Sequence, residues 1–148
     1  MKKKNLKIGI AVILLVLVSG ALYAYKEFNR KVKDLTYVKA GVTLEATSLI
    51  SAFEKDEAAG NKEYLDKIIA VKGTVKSVEK NSDGYYTVIL GEESSMSSVR
   101  CSMDSTHQQD VAAIPAGTTI TMKGACAGFN KDELLGSDVI LNRCVVQN

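Results

Sequence analysis

Beyond Lys67 the hydrophobic pattern of the chain changes period, from helical to alternating, and stays alternating almost to the end. Ile69, Val71, Gly73 and Val75, with Lys72, Thr74 and Lys76 between and after them, predict a half-buried first strand. Asn81-Ser82-Asp83-Gly84 has the composition of a turn, and Tyr85 to Leu90 follows as the second strand. After a polar loop, Gly91 to Ser97, the residues Val99, Cys101 and Met103 alternate with Arg100 and Ser102 as a third. Asp104 to Ile114 is predicted as a short helix, ended by Pro115. Thr118 to Gly124 and Val139 to Val146 complete the set, and the last turn must fall within Asn130 to Ser137.

Three strands, a short helix and two strands is the layout of the five-stranded Greek-key barrel called the OB-fold. Gly73 suits it, because a coiled barrel strand needs a residue without a Cβ where it bends. Upstream, Ala46, Leu49, Ile50 and Phe53 recur at helical spacing, with Thr43 as N-cap and Gly60-Asn61 as stop. They predict one amphipathic helix of about four turns, its apolar stripe packed on the barrel. The expected fold class is thus mostly β with a flanking helix, the domain spanning residues 43–148.

Ahead of the domain, Ile8 to Tyr25 contains no charged residue. As a helix it would reach about 27 Å, just enough for a bilayer core. Residues 1–25 therefore read as a signal anchor or a signal peptide. As an anchor, Lys2, Lys3, Lys4 and Lys7 stay in the cytoplasm and a single-pass chain places its domain on the extracytoplasmic, periplasmic side. As a cleaved peptide, Ser19-Gly20-Ala21 supplies the small residues and a secreted form results. A cytoplasmic domain stays open as a third reading, since Lys26, Arg30, Lys31 and Lys33 blunt the charge asymmetry. The earliest cysteine is Cys101, so no thiol near the apolar run can carry a lipid. Residues 26–42 are charged, weakly patterned and expected to be a stalk.

Charge narrows the function classes. From Lys26 onward the chain holds 15 basic and 17 acidic residues. Such a domain lacks the basic field that supplies most of the affinity for phosphate backbones, which disfavours nucleic acid as a partner.

Candidate chemistry is sparse. In an oxidising compartment three cysteines allow one internal disulfide. Cys126 and Cys144 are spaced to face each other across the last hairpin, with Cys101 as a buried free thiol. Three packed thiols are the competing reading. Cys101, Cys126, Cys144 and His107 lack the close paired spacing of a structural zinc site, and no cofactor or metal is expected. His107 reads as an exposed residue opening the short helix. Asp104-Ser105-Thr106-His107 lies too close in sequence to form a triad, and neither Glu92-Glu93 nor Asp132-Glu133 has a visible perturbing partner. No enzyme is expected.

The segments DEAAGNKEYLDKIIAVKGTVKSVEK, VRCSM, MKGACAG and VILNRCVV resemble the tRNA-anti-like OB-fold family of small bacterial envelope proteins. The resemblance covers roughly Leu44 to Val146. It implies an OB barrel in the envelope, and the lack of catalytic motifs adds the expectation that this barrel binds without catalysing. If the usual OB face is used, its residues are Tyr85, Thr87, Arg100 and Ser102, with the loops around Asp83 and Lys131. The expected partners are the membrane, through the N-terminal helix, and an unknown protein or small ligand in the envelope. Single-stranded nucleic-acid binding is the alternative.

Overall fold

The computed structural model describes residues 2–28, 33–132 and 134–147. The chain divides into two compact units, Met1–Lys33 and Asp34–Asn148. The first contains one helix, α1 (Lys2–Phe28), on which Ile13 to Val18 and Leu22 each expose 56–71% of their surface. Among the described residues, no helix is long and apolar enough to cross a membrane.

In the second unit, β1 (Val42–Glu45) leads into α2 (Ala46–Lys55) and α3 (Glu57–Tyr64). The barrel strands are β2 (Ile68–Lys80), β3 (Tyr86–Leu90), β4 (Ser98–Met103), β5 (Thr119–Asn130) and β6 (Asp138–Gln147). The sheet runs β1-β2-β3-β4-β6-β5, and a further antiparallel pairing of β2 with β5 closes it. This mostly β architecture, a closed five-stranded barrel with helices, fits an OB-fold.

Closure depends on the length of β2. Its first half, Ile68 to Thr74, pairs with β5, while Val75 to Lys80 pairs with β3 across an irregularity between Val75 and Ser77. One strand thus belongs to both sides of the barrel. Gly73 sits where the two pairings meet. A Cβ there would lie 2.9 Å from the Cβ of Ala46 and 3.2 Å from that of Leu90, so its absence lets the start of α2 close onto the barrel. Leu49, Ile50 and Phe53 of α2 are buried with Val71, Val88, Val99, Met122 and Leu141 in one continuous core.

The structure corrects four expectations. The single amphipathic helix is two. Asp56 adopts extended backbone (φ −157°, ψ 99°) and its carboxylate accepts from the Ala59 N–H, 3.0 Å, so it ends α2 and caps α3. Thr43 is not the cap, because it lies in β1, where it pairs in parallel with Ala70 beyond the reach of β3. Gly60 does not stop the helix. It lies inside α3 against the ring of Phe53, where a Cβ would approach to 2.7 Å.

Within the second unit, Leu35, only 1% exposed, lies in the 3-10 turn Leu35–Tyr37, and Val42 opens β1. The short helix after β4 contracts to a 3-10 turn, Gln108–Val111, anchored by buried Val111.

Candidate binding face

The outward side of β2, β3 and β4 carries two rows of paired residues. Glu79 faces Thr87, and Thr87 faces Ser102; one step along, Ile89 faces Arg100, which faces Ile140 of β6. Alternation on β3 divides the two tyrosines. Tyr86 packs against the core, whereas Tyr85, just ahead of the strand, is half exposed. Thr87, Arg100 and Ser102 are partly exposed, so the face brings all three together with Tyr85 at its margin.

The cations around this face are already engaged. Arg100 Nη2 lies 2.8 Å from Glu79 Oε2, an acid the sequence reading passed over. Lys72 Nζ stands 3.6 Å from Glu45 Oε1, and Lys76 Nζ donates to the Ser95 carbonyl at 2.6 Å. Lys80 Nζ sits 5.1 Å from the centre of the Tyr86 ring. The result is a face of mixed polarity, with its arginine on β4 paired across β3 to an acid of β2. Glu79 is half exposed and Arg100 partly so, and the pair contributes little stability.

Beside the face, a polar cleft of about 300 Å³ runs between the start of α2 and the middle of β2, lined by Glu45, Thr47, Lys72, Thr74, Glu92 and Thr119. It offers hydroxyls, and a lysine paired with its own glutamate. Among the described residues, no group of three or more His, Cys, Asp or Glu side chains is placed to hold a metal ion.

The cysteines depart from the expected bridge. All three are free and buried. Cys126 faces Leu141, not Cys144: pairs such as Asn130 with Asp138 and Lys123 with Val145 centre the turn on residue 134, which would set Cys126 opposite Asn142, and the register shifts between Lys123 and Ala125 and between Cys126 and Gly128 move its partner one residue further, to Leu141. At the first of them β6 holds the extra residue, and Arg143 there takes a left-handed conformation (φ 54°). Cys144 instead lies beside Cys101. Burial first, and the Cys101 thiol second, push its own thiol well above the usual range. Burial likewise raises Cys126.

Sequence reasoning missed one polar cluster. His107 Nε2 lies 3.0 Å from Asp34 Oδ2 and 3.3 Å from Thr36 Oγ1, and its Nδ1 lies 2.9 Å from Asp110 Oδ2. Buried Lys123 of β5 donates to the Thr36 carbonyl, 3.1 Å. These contacts fasten the start of the folded unit to the turn after β4. Only the i, i+3 spacing of His107 and Asp110 was visible in the sequence.

With the geometry in place, comparisons locate the protein among known ones. A lipoprotein from Klebsiella pneumoniae subsp. pneumoniae MGH 78578, proposed to bind nucleic acid, shares the fold at a TM-score of 0.56 and 19% identity, over 71% of this chain and 91% of that one. A protein from Leishmania major Friedlin, proposed as an aspartyl-tRNA synthetase, aligns at a TM-score of 0.46 and 10% identity, over 86% of this chain and 25% of that one. No curated protein matches. A family model covers residues 1–145, and the chain belongs to the tRNA_anti-like family.

Proposed function

We propose that the protein is a non-catalytic binding module of the cell envelope, tethered to the membrane by its N-terminal helix, with the barrel outside the cytoplasm. The uncharged run Ile8 to Tyr25 behind a lysine cluster supports the tether and its direction. The β3–β4 face, with Tyr85, Thr87, Arg100 and Ser102, takes a protein or small ligand of mixed polarity. The observation that carries this reading is the pairing of Arg100 with Glu79, which sets an acid beside the arginine of the face and so weakens the positive field a phosphate backbone would need.

Single-stranded nucleic-acid binding is the rival, favoured by the exposure of Tyr85 and by the description of the Klebsiella lipoprotein. One experiment separates the two. Full-length protein in neutral detergent is titrated against labelled single-stranded DNA and RNA oligonucleotides at rising salt. Affinity weaker than about 10⁻⁴ M at physiological salt is expected, below ordinary non-specific binding. Tighter binding with a steep salt slope, lost in Tyr85→Ala and Arg100→Ala, establishes the rival. Protease accessibility of the barrel in intact spheroplasts tests the location, and a protected barrel there refutes it.

A further inference from the structure

The barrel carries a second exposed surface, formed by two loops and built from residues other than Arg100 and Tyr85. In the β3–β4 loop Met96 is 61% exposed; in the β5–β6 loop Leu134 and Leu135 are 82% and 76% exposed. Large apolar side chains left in water forfeit the burial that stabilises a fold, at about 25 cal/mol per Å². These three cannot simply turn inward, because the backbone beneath them is pinned.

Asp132 Oδ1 accepts from the N–H of both Leu134 and Leu135, at 2.8 and 2.9 Å. Gly136 (φ 88°) lies against the Met96 backbone, where a Cβ would come within 2.4 Å of the Met96 carbonyl carbon. The Ser137 N–H donates to Ser97 Oγ at 3.1 Å, and the Ser98 N–H to the Ser137 carbonyl at 2.9 Å. Ser97 Oγ in turn donates to Glu54 on α2, 2.7 Å, so the two loops and a helix form one support.

Charge chooses the occupant. The described residues of the two loops include the acids Glu92, Glu93 and Asp132, with Glu54 of α2 on Ser97, against Lys131 and the Lys76 that donates to the Ser95 carbonyl. An acidic surround repels nucleic acid and anionic lipid and attracts basic groups. We propose that Met96, Leu134 and Leu135 form a docking wedge for a partner protein that offers an apolar pocket rimmed by lysine or arginine. The wedge shares the loop around Lys131 with the usual OB face but uses neither Arg100 nor Tyr85, so its test can fail while the reading of the β3–β4 face stands.

The test uses the full chain in its native cells, with Leu134→p-benzoylphenylalanine and, separately, Tyr85→p-benzoylphenylalanine. Position 134 is so exposed that the substitution leaves folding untouched, which an unchanged melting temperature checks. Irradiation should give one discrete protein adduct from position 134, absent from position 85, whose cross-linked segment is apolar with basic flanks. Adding Glu92→Lys and Glu93→Lys should lower its yield by about fivefold or more, since a reversed rim repels the same partner. No adduct, an adduct with lipid, nucleic acid or a second copy of this chain, or a protein adduct indifferent to charge reversal would each overturn the proposal.

Discussion

The His107 imidazole stands 3.0 Å from the Asp34 carboxylate, across 73 residues of sequence, and joins the turn at Leu35–Tyr37 to the turn after β4. The hydrogen bond to Asp34, then that to Asp110, raises the His107 pKa above its usual 6.5, against the opposing effect of burial. The same bond, followed by those from Thr36, lowers Asp34 to about 2. The folded state therefore holds the His107 proton more tightly than the unfolded chain does. Its contribution is complete below about 6.5 and is lost as pH rises through the folded pKa. For Asp34 the contribution is present above 3.8 and is lost as pH falls through about 2. His107→Ala should thus separate most from the native protein in thermal melts between about pH 4 and 6.5, with the gap closing toward pH 9. A gap that is equal at both ends of that range would show that the clasp does not hold a proton.

The thiols give a second prediction. Cys126 and Cys144 have raised pKa values and are buried, so little thiolate forms at pH 8 and little of it is accessible. Native protein should resist iodoacetamide, and unfolded protein without reductant should take up three equivalents, one for each free cysteine. A mass two hydrogens lower, with one site alkylated, would mean that a bridge forms after all.

Phe53 offers a test of packing. Its ring stacks on Phe129 (5.3 Å between centroids, 18°) and tilts against Tyr64 (5.9 Å, 42°) at 1% exposure. Phe53→Ala should cost about 3–5 kcal/mol in urea unfolding. Gly60→Ala sets two effects against each other. Helix propensity gains about 1 kcal/mol, while pushing a methyl into a buried ring costs about 1–3 kcal/mol. Packing wins, because the ring already has neighbours on its other sides, and a net loss of about 1 kcal/mol is expected. Were Gly60 a helix terminus, as its sequence context suggested, the alanine variant would carry no such packing penalty.

These cases show what the sequence made legible. Strands with one buried face write their alternation into the chain, and all five barrel strands were readable from residues such as Val99, Cys101 and Met103. The last turn was readable too, within Asn130 to Ser137. β1 was not, since four residues are too few for a period to emerge beside a helix. Nor was the register of β5 against β6, because the apolar pattern fixes neither the turn centre, near residue 134, nor the two register shifts that move the partner of Cys126 by one residue. Of the candidate face, Thr87, Arg100 and Ser102 follow from alternation alone. Glu79, which decides the charge of the face, depends on the pairing of β2 with β3 and appears only once that pairing is known.

Gly136 gives the most local prediction. Its φ of 88° is a conformation that residues with a Cβ rarely adopt, and a Cβ would meet the carbonyl carbon and oxygen of Met96 at 2.4 and 2.5 Å. Those atoms are backbone, so they cannot rotate away as a side chain could. Gly136→Ala must instead part the two loops, weakening the Ser137–Ser97 and Ser98–Ser137 hydrogen bonds that join them. A loss of about 1–3 kcal/mol is expected from strain and overpacking together. Gly117→Ala is the control, also at positive φ (85°) but with open space where the Cβ would go, so it bears only the conformational part. Hydrogen exchange should show faster exchange at the Ser98 and Ser137 amides in the Gly136 variant and native rates there in the Gly117 variant. Equal behaviour of the two would mean that the loops are not locked at Met96.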